Sequence, residues 1–359
     1  MRSAIPAVPA IAITYPEPLR PGARIAVTAP SSGVPARLQA RLDLNLAHLR
    51  AQGFVVDEGV CLRDQQRGAS AAAAARAAEL MRLLLRDDID AVFPPWGGEL
   101  AIELLDRLDW PALARARPKW LIGFSDTSTL MLPITLRLGW ATAHGPCLMD
   151  LAPTQGDPLT TGALQALATP DGASVVQRQS ARWQSVWGDF EREPEVAFAL
   201  TEPTAWRCLN RPPDAQVSMT GHLIGGCLDT LVFLAGTPHG EVPGFVRQNA
   251  DTTGTLLFLE NSDQTAAGVA RVLQRLRWAG WFNGLAGVLI GRSNGPVATG
   301  SEALQDEDAL ADALSQMPCP VLFDVDIGHR PPQLMLMQGA VATVQWSAAS
   351  GGQLTQRRI

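Results

Sequence analysis

Short apolar runs alternate with helical segments at the start of this chain, and this alternation limits the folds open to it. The run at residues 24–29 ends at Pro30, and leucines at helical spacing follow from about residue 35 to residue 52. A second apolar run, at residues 54–56, begins directly after Gly53. A strand, a helix and a strand in this order are typical of parallel pairing. We therefore predict an α/β fold with a parallel sheet.

The same alternation returns in the second half of the chain, with apolar runs at residues 255–259, 287–291 and 320–325. At 359 residues the chain is too long for one small core, so about two domains are expected. We predict an N-terminal parallel-sheet sandwich domain and a smaller C-terminal α/β domain, joined by a long linker. The predicted bounds are an extended arm over 1–19, the first domain over 20–150, a linker and substrate-contacting insertion over 151–220, and the second domain over 221–359.

Composition excludes several classes of function. The net charge is −6 and no block of Lys and Arg occurs, which argues against a nucleic-acid partner. The five cysteines are scattered without a CxxC pair, so neither a zinc ribbon nor a disulfide framework is expected. Prolines interrupt the N-terminal segment and no run of about 18 apolar residues exists. We expect a cytoplasmic protein that has no signal peptide, membrane partner, metal or other cofactor.

A serine lies on the tight turn that follows a short apolar run. Residues 120–122 are typical of a buried strand, and a helix is predicted to run from Ser125 or just after it to Gly139. A serine on such a turn is exposed next to unpaired helix amides, as in a nucleophile elbow. The alternative is that Ser125 or Asp126 only caps the helix, as these residue types often do.

Two glycines follow the preceding predicted strand. Gly97 and Gly98 stand between the run at residues 89–93 and a predicted helix at 99–108. Adjacent glycines allow the backbone to approach a ligand and leave free amides there. The pair is either an ordinary turn or a site that holds a substrate carboxylate or an oxyanion. The carboxyl ends of parallel strands share one edge of a sheet, so we expect this loop to lie near Ser125.

An acid and an imidazole occur at two later strand ends. Glu260 follows the apolar run at 255–259, and His329 lies in a proline-rich loop after the run at 320–325. A serine needs a base to take its proton, and a carboxylate can orient that base. Glu260 can also be a first-turn acid of the helix predicted at 266–278. The other histidines leave the choice of base open: His48, His144, His222 and His239.

The linker region contains three aromatic side chains within eight residues, although the chain has few aromatics. They are Trp183, Trp187 and Phe190. They either stack on a flat group of a ligand or pack the linker onto a domain.

Taken in order, several motifs of the chain resemble the LD-carboxypeptidase family of serine peptidases. The resemblance spans about residues 20 to 346, and each motif is weak alone. The motifs are IAVTAPS at 25–31, WGG at 96–98, PKWLIGFSDTS at 118–128, HGP at 144–146, GGCL at 225–228, GTP at 236–238, LFLE at 257–260 and GH at 328–329.

This resemblance implies a two-domain α/β enzyme, usually a homodimer, that uses no metal. The family's catalytic triad falls on Ser125, Glu260 and His329, and its oxyanion donors fall near Gly98 and Asp126. One branch of the family removes the terminal D-alanine from murein tetrapeptides. A second branch resembles the microcin C self-immunity peptidase, which cuts the amide between a peptidyl or aminoacyl group and a nucleotide-like part.

Details of the sequence favour the second branch. They are PPWGGE at 94–99, AHGPCLMD at 143–150 and the pair Trp183 and Trp187, which resemble the aromatics that stack on the base in that branch. Gly97, Trp183 and Trp187 are accordingly the predicted substrate contacts. The chain departs from the family pattern at Cys227, Asn261 and residues 267–268, which bears on the substrate pocket. A non-catalytic α/β protein that binds a small molecule is the alternative from another class.

Overall fold

Strands and helices alternate through most of the chain. The computed structural model describes residues 12–151, 157–300 and 302–358. Its strands are β1 (Arg24–Val27), β2 (Val55–Glu58), β3 (Ala91–Val92), β4 (Trp120–Gly123), β5 (Thr142–His144), β6 (Ser174–Arg178), β7 (Arg182–Trp183), β8 (Glu202–Pro203), β9 (Arg207–Cys208), β10 (Val217–Cys227), β11 (Thr255–Glu260), β12 (Gly287–Gly291), β13 (Val321–Val325), β14 (Leu336–Gln338), β15 (Val341–Ser347) and β16 (Gly351–Arg357).

The α-helices are α1 (Gln39–Ala51), α2 (Ala73–Leu85), α3 (Trp110–Leu113), α4 (Ser128–Leu138), α5 (Pro158–Thr161), α6 (Ala163–Leu167), α7 (Leu228–Leu231), α8 (Val242–Asn249), α9 (Ala266–Trp278) and α10 (Asp306–Leu314). Short 3-10 helices occur at Ala36–Leu38, Ala101–Arg107, Ser125–Thr127 and Leu148–Asp150. No helix of the described ranges is both long enough and apolar enough to cross a bilayer.

The first sheet has the strand order β14-β5-β4-β3-β1-β2. Strands β1 to β5 pair in parallel, and β14 joins antiparallel to β5. Helices cover both faces of this sheet. Successive side chains of a strand point to opposite faces, so each strand contributes to the core on both sides. Ile25 of β1 belongs to a core with Leu42 of α1, whereas the neighbouring Ala26 belongs to a core with Leu80 of α2.

The second sheet has the order β6-β16-β15-β10-β11-β12-β13-β9. Its centre, β10 to β13, is parallel, and the flanking strands pair antiparallel. The two sheets share one core, in which α4 from the first half packs with α7, α8, α9 and α10 from the second. The α/β class with parallel sheets that we predicted is therefore confirmed.

Several details differ from the sequence predictions. The segment predicted as a helix over 99–108 forms the 3-10 helix Ala101–Arg107. The predicted linker over 151–220 contributes β6 and β9 to the second sheet. Much of the predicted arm over 1–19 lies outside the described residues. From it, Thr14 pairs with Trp140 and Leu19 is buried, so the described part lies on the first sheet.

Candidate active site

Ser125 lies on a turn directly after β4. Phe124 is extended, and Ser125 has a φ of +59°, a left-handed conformation that is uncommon for a residue with a side chain. The 3-10 helix Ser125–Thr127 then leads into α4. Such a conformation costs about 1–3 kcal/mol and persists only where the surrounding structure enforces it. The backbone therefore makes a sharp strand-to-helix turn at this serine.

The carboxylate of Asp126 bonds to two neighbouring loops and to the first turn of α4. Its Oδ2 accepts hydrogen bonds from Ser31 Oγ at 2.6 Å and from the amide of Ala101 at 2.8 Å. Its Oδ1 accepts from Thr129 Oγ1 at 3.1 Å. No side-chain hydrogen bond caps the start of either Ser125–Thr127 or α4. Asp126 thus ties the turn to the neighbouring loops, and Ser125 keeps its hydroxyl free of a capping bond.

Gly97 brings the preceding loop against the serine. A Cβ atom at Gly97 would lie 2.7 Å from Ser125 Cβ, 2.9 Å from Ser125 Oγ and 2.8 Å from the amide nitrogen of Asp126. These distances are too short for any side chain, so only glycine allows this approach. Gly98 has a φ of +144°, and a Cβ there would collide with Ser31 Oγ.

The second domain contributes a histidine–carboxylate pair. His329 Nδ1 lies 2.8 Å from Glu260 Oε2, and Glu260 is fully buried at the end of β11. Gly328, with a φ of +91°, makes room for this contact, because a Cβ there would meet the Glu260 carboxylate. Cys227 is the register partner of Glu260 on β10.

Burial and charge have opposite effects on the pKa values of His329 and Glu260. Burial alone lowers the pKa of His329, but the charge and hydrogen bond of Glu260 outweigh it, so the pKa of His329 is raised. Burial alone raises the pKa of Glu260, but His329 outweighs it, so the pKa of Glu260 is lowered. The geometry therefore favours a charged Glu260 that stabilises the protonated imidazole.

Ser125 and His329 line one cavity of about 450 Å³. Gly97, Gly98 and Trp187 line it as well, together with Phe190. Trp183 is not among the residues that line this cavity; the guanidinium carbons of Arg292 and Arg330 each lie 5.8 Å from its ring centroid. A larger cavity of about 790 Å³ between α6 and β6 contains none of the predicted site residues.

The other histidines have different surroundings. His144 is fully buried with edge contacts to Phe124 and Phe258, and burial lowers its pKa to about 4. His222 lies in the middle of β10, and its Nδ1 is 2.7 Å from the carbonyl oxygen of Gly339. His48 contacts Gln52 on α1, and His239 contacts Arg137. None of the four lines the cavity of Ser125.

Sequence reasoning missed several residues around this cavity. Cys147 and Asp150 line it, and the only sequence signal was their place just after the HGP motif. Arg41 of α1 is buried and donates to the carbonyls of Met149, Pro194 and Val196, so it holds the linker against the first domain. Within residues 12–151, 157–300 and 302–358, no three His, Cys, Asp or Glu side chains are grouped as metal ligands.

The fold is that of a two-domain α/β protein with parallel sheets, and comparison with known proteins gives the family. The model of the LD-carboxypeptidase N-terminal domain matches residues 25–145, and that of the C-terminal domain matches residues 220–344. The chain therefore belongs to the LD-carboxypeptidase family of serine peptidases, as the motifs predicted. This family is one of enzymes, which argues against the non-catalytic binding protein.

Individual relatives agree with this assignment. A putative carboxypeptidase of Streptomyces coelicolor is 31% identical over 96% of this chain and 97% of its own. A probable murein peptide carboxypeptidase of Bacillus subtilis is 28% identical over 92% and 91%. The solved structure of MccF in complex with glutamyl sulfamoyl guanosine has a TM-score of 0.81 at 22% identity, and covers 97% of this chain and 99% of that chain. At 22% identity, this structural similarity supports the assignment of the fold alone.

Proposed function

We propose that this protein hydrolyses an amide bond through Ser125, His329 and Glu260. The observation that carries the proposal is one cavity lined by a serine in a left-handed turn and by a histidine whose far nitrogen contacts a buried carboxylate. In this mechanism Ser125 Oγ attacks the carbonyl carbon of the scissile amide. His329 takes the serine proton and later donates it to the leaving amine.

Glu260 orients the imidazole and stabilises its protonated form. The contact between Nδ1 of His329 and Oε2 of Glu260 leaves Nε2 as the nitrogen that exchanges the proton with Ser125. Full burial of Glu260 strengthens this effect, since the charge is poorly screened.

The negative charge that develops on the carbonyl oxygen needs hydrogen-bond donors. We assign this role to the backbone amides of Gly98 and Asp126, which lie on the two loops that meet at Ser125. The close approach at Gly97 supports this assignment, because it brings the first loop within van der Waals contact of the serine and of the Asp126 amide.

For the substrate, we propose a peptidyl or aminoacyl group joined through an amide to a nucleotide-like part. Trp187 supports this choice, because it lies in the cavity wall with Phe190, their ring centroids 6.1 Å apart, and offers a surface for a flat base. MccF, a structure of similar fold, was solved in complex with glutamyl sulfamoyl guanosine. Because Trp183 lies outside the cavity lining, we assign the stacking contact to Trp187.

A murein tetrapeptide is the second candidate substrate, since the Bacillus subtilis relative is named a probable murein peptide carboxypeptidase. The cytoplasmic location and the homodimer inferred from the sequence stay predictions.

Two assays with purified protein test these proposals. Ser125→Ala should abolish hydrolysis while the circular dichroism spectrum and melting temperature stay near those of the wild type; wild-type turnover by this variant would refute Ser125 as the nucleophile.

Turnover of an aminoacyl sulfamoyl adenosine is compared with that of a murein tetrapeptide to decide the substrate class. Trp187→Ala should lower kcat/KM only for the aminoacyl sulfamoyl adenosine, by a factor equivalent to about 1–3 kcal/mol. An equal effect on both substrates would contradict base stacking.

A further inference from the structure

Asp150 places a carboxylate in the wall of the catalytic cavity. It ends the 3-10 helix Leu148–Asp150 and lines the same cavity as Ser125 and His329. Its position is fixed, because Oδ2 accepts from the amide of Cys147 at 2.9 Å. The helix is in turn bonded to residues 94–95, through the amides of Leu148 at 3.3 Å and Met149 at 3.1 Å. Residues 94–95 lead into the glycine loop, so this carboxylate is held rigidly relative to the reacting atoms.

No ion pair joins this carboxylate to a Lys or Arg of the described residues, although the charges of Arg41 and His329 both act to lower its pKa. The hydrogen bonds of Arg41 go instead to the carbonyls of Met149, Pro194 and Val196. Arg37, the other charged side chain in the lining besides His329, lies 3.8 Å from Glu191. Burial raises the pKa of Asp150 to about 6, although the Cys147 amide and the charge of Arg41 oppose this. The group is thus charged at neutral pH but poorly solvated.

A poorly solvated carboxylate that makes no ion pair gains most from a ligand that brings a positive charge. We propose that Asp150 binds an ammonium group on the acyl part of the substrate, so that the enzyme selects acyl groups that carry a free amine. This inference rests on the proposed function. It applies to the α-amine of an aminoacyl nucleotide and equally to the side-chain amine of a diaminopimelate residue in a murein peptide.

The test compares ligands that differ only in this amine. The first pair is aspartyl sulfamoyl adenosine and its des-amino analogue, in which hydrogen replaces the ammonium. The second pair is a murein tetrapeptide with meso-diaminopimelate and the same peptide with 2-aminopimelate. Dissociation constants are measured by calorimetry with the Ser125→Ala protein, alone and combined with Asp150→Asn. Asparagine keeps an oxygen that can accept from the Cys147 amide, so this change removes the charge while retaining the helix contact.

We expect the amine to tighten binding about 10- to 100-fold in at least one pair, and Asp150→Asn to abolish this preference. The matched control is Asp157→Asn, which also removes a buried carboxylate that accepts helix amides, from Leu159 and Thr160, but outside the catalytic cavity. The control should keep the preference.

Three results would overturn the inference: equal affinity within both pairs, a preference that survives Asp150→Asn, or no binding of any of the four ligands. Turnover by the wild-type protein is measured separately. Selective binding of the amine without turnover that depends on Ser125 would refute the proposed function while the inference about Asp150 stands.

Discussion

The loop that carries His329 is held by a buried arginine, and this contact offers a test of how the histidine is positioned. Arg292 is 4% exposed and donates from Nη2 to the carbonyls of Arg330 and Pro332, each at 2.8 Å. Its Nη1 lies 2.6 Å from Oδ1 of Asp326, which is fully buried. Arg292 therefore binds the loop on both sides of His329 without being among the cavity-lining residues.

Arg292→Lys removes part of this network. A lysine has one terminal nitrogen, so we expect it to keep Asp326 and to lose both carbonyls, because the single ammonium cannot reproduce the fork of the guanidinium. Each hydrogen bond to a charged group is worth roughly 1.5–3 kcal/mol, so the two lost bonds cost roughly 3–6 kcal/mol. Displacement of the loop by about 1 Å would lower kcat about 100-fold, because catalysis depends on the placement of reacting groups.

The matched control is Arg358→Lys. Arg358 is 1% exposed and likewise donates to two backbone carbonyls, those of Thr169 and Pro16, with a carboxylate, Asp171, at 2.8 Å. It is not among the residues that line the catalytic cavity. Thermal unfolding, kcat and KM are measured for both variants on the same substrate.

Both variants should lose similar stability, since each loses two carbonyl contacts of a buried guanidinium. Only Arg292→Lys should lose kcat, with KM little changed, because the substrate contacts stay in place. If the two variants lose kcat equally, or if Arg292→Lys is destabilised but keeps its full kcat, Arg292 does not position His329. Ser180→Ala removes a milder contact, the 2.6 Å bond from Ser180 Oγ to Asp326, and should give a smaller loss of kcat if Arg292→Lys does not fold.

Two further substitutions test the histidine–carboxylate pair. Gly328→Ala should lower kcat about 100-fold or more, because the new Cβ would collide with Glu260; Gly172→Ala, at a similar φ of +78° with no atom within 4 Å, should change only the melting temperature. Equal kcat in these two variants would contradict the argument. Activity requires a neutral His329, so kcat/KM should fall as pH drops through its raised pKa. Glu260→Gln removes the charge that raises the pKa of His329, so the acid side of the kcat/KM–pH profile should move to lower pH. The same change should lower kcat about 100-fold or more. A profile whose acid side does not move would exclude His329 as the titrating base.

The regular strands and helices were predictable because local periodicity determines them. Helix α9 has the predicted bounds of 266–278, since an amphipathic pattern and the N-cap Thr265 define its start locally. Strand β11 extends the predicted run by one residue, to Glu260. The sequence also indicated which side chains to consider as catalytic candidates, because a serine, an acid and a histidine each followed an apolar run.

The strands that sequence reasoning missed depend on distant partners. Strand β14 is only three residues long and pairs with β5, almost two hundred positions earlier in the chain, so no local sequence pattern predicts it. Strand β10 contains Gly221, Gly225 and Gly226, and glycine weakens strands, so its eleven residues were not recognised as one strand. The sequence also could not show which of Trp183 and Trp187 lines the cavity, because this depends on how the linker folds.

The glycines of β10 have a packing reason that bears on the site. A Cβ at Gly226 would lie 2.6 Å from Ser128 Oγ, and the amide of Cys227 donates to that same oxygen at 3.1 Å. Ser128 begins α4, directly after the turn at Ser125, so the second sheet packs against the helix that follows Ser125 through these glycines. The sequence alone shows the glycines but not the helix that they accommodate.

The path of the chain between the sheets explains why the three catalytic candidates keep one geometry. Ser125 follows β4 in the first sheet, Glu260 ends β11 in the second, and His329 lies on the segment that leaves β13 in the second sheet and enters β14 in the first. The histidine is therefore anchored to both sheets at once. Any shift of one sheet against the other would stretch this segment and break the contact with Glu260 at 2.8 Å. The bond between α4 and β10 at Ser128 is a second direct contact between the two halves next to the candidate site.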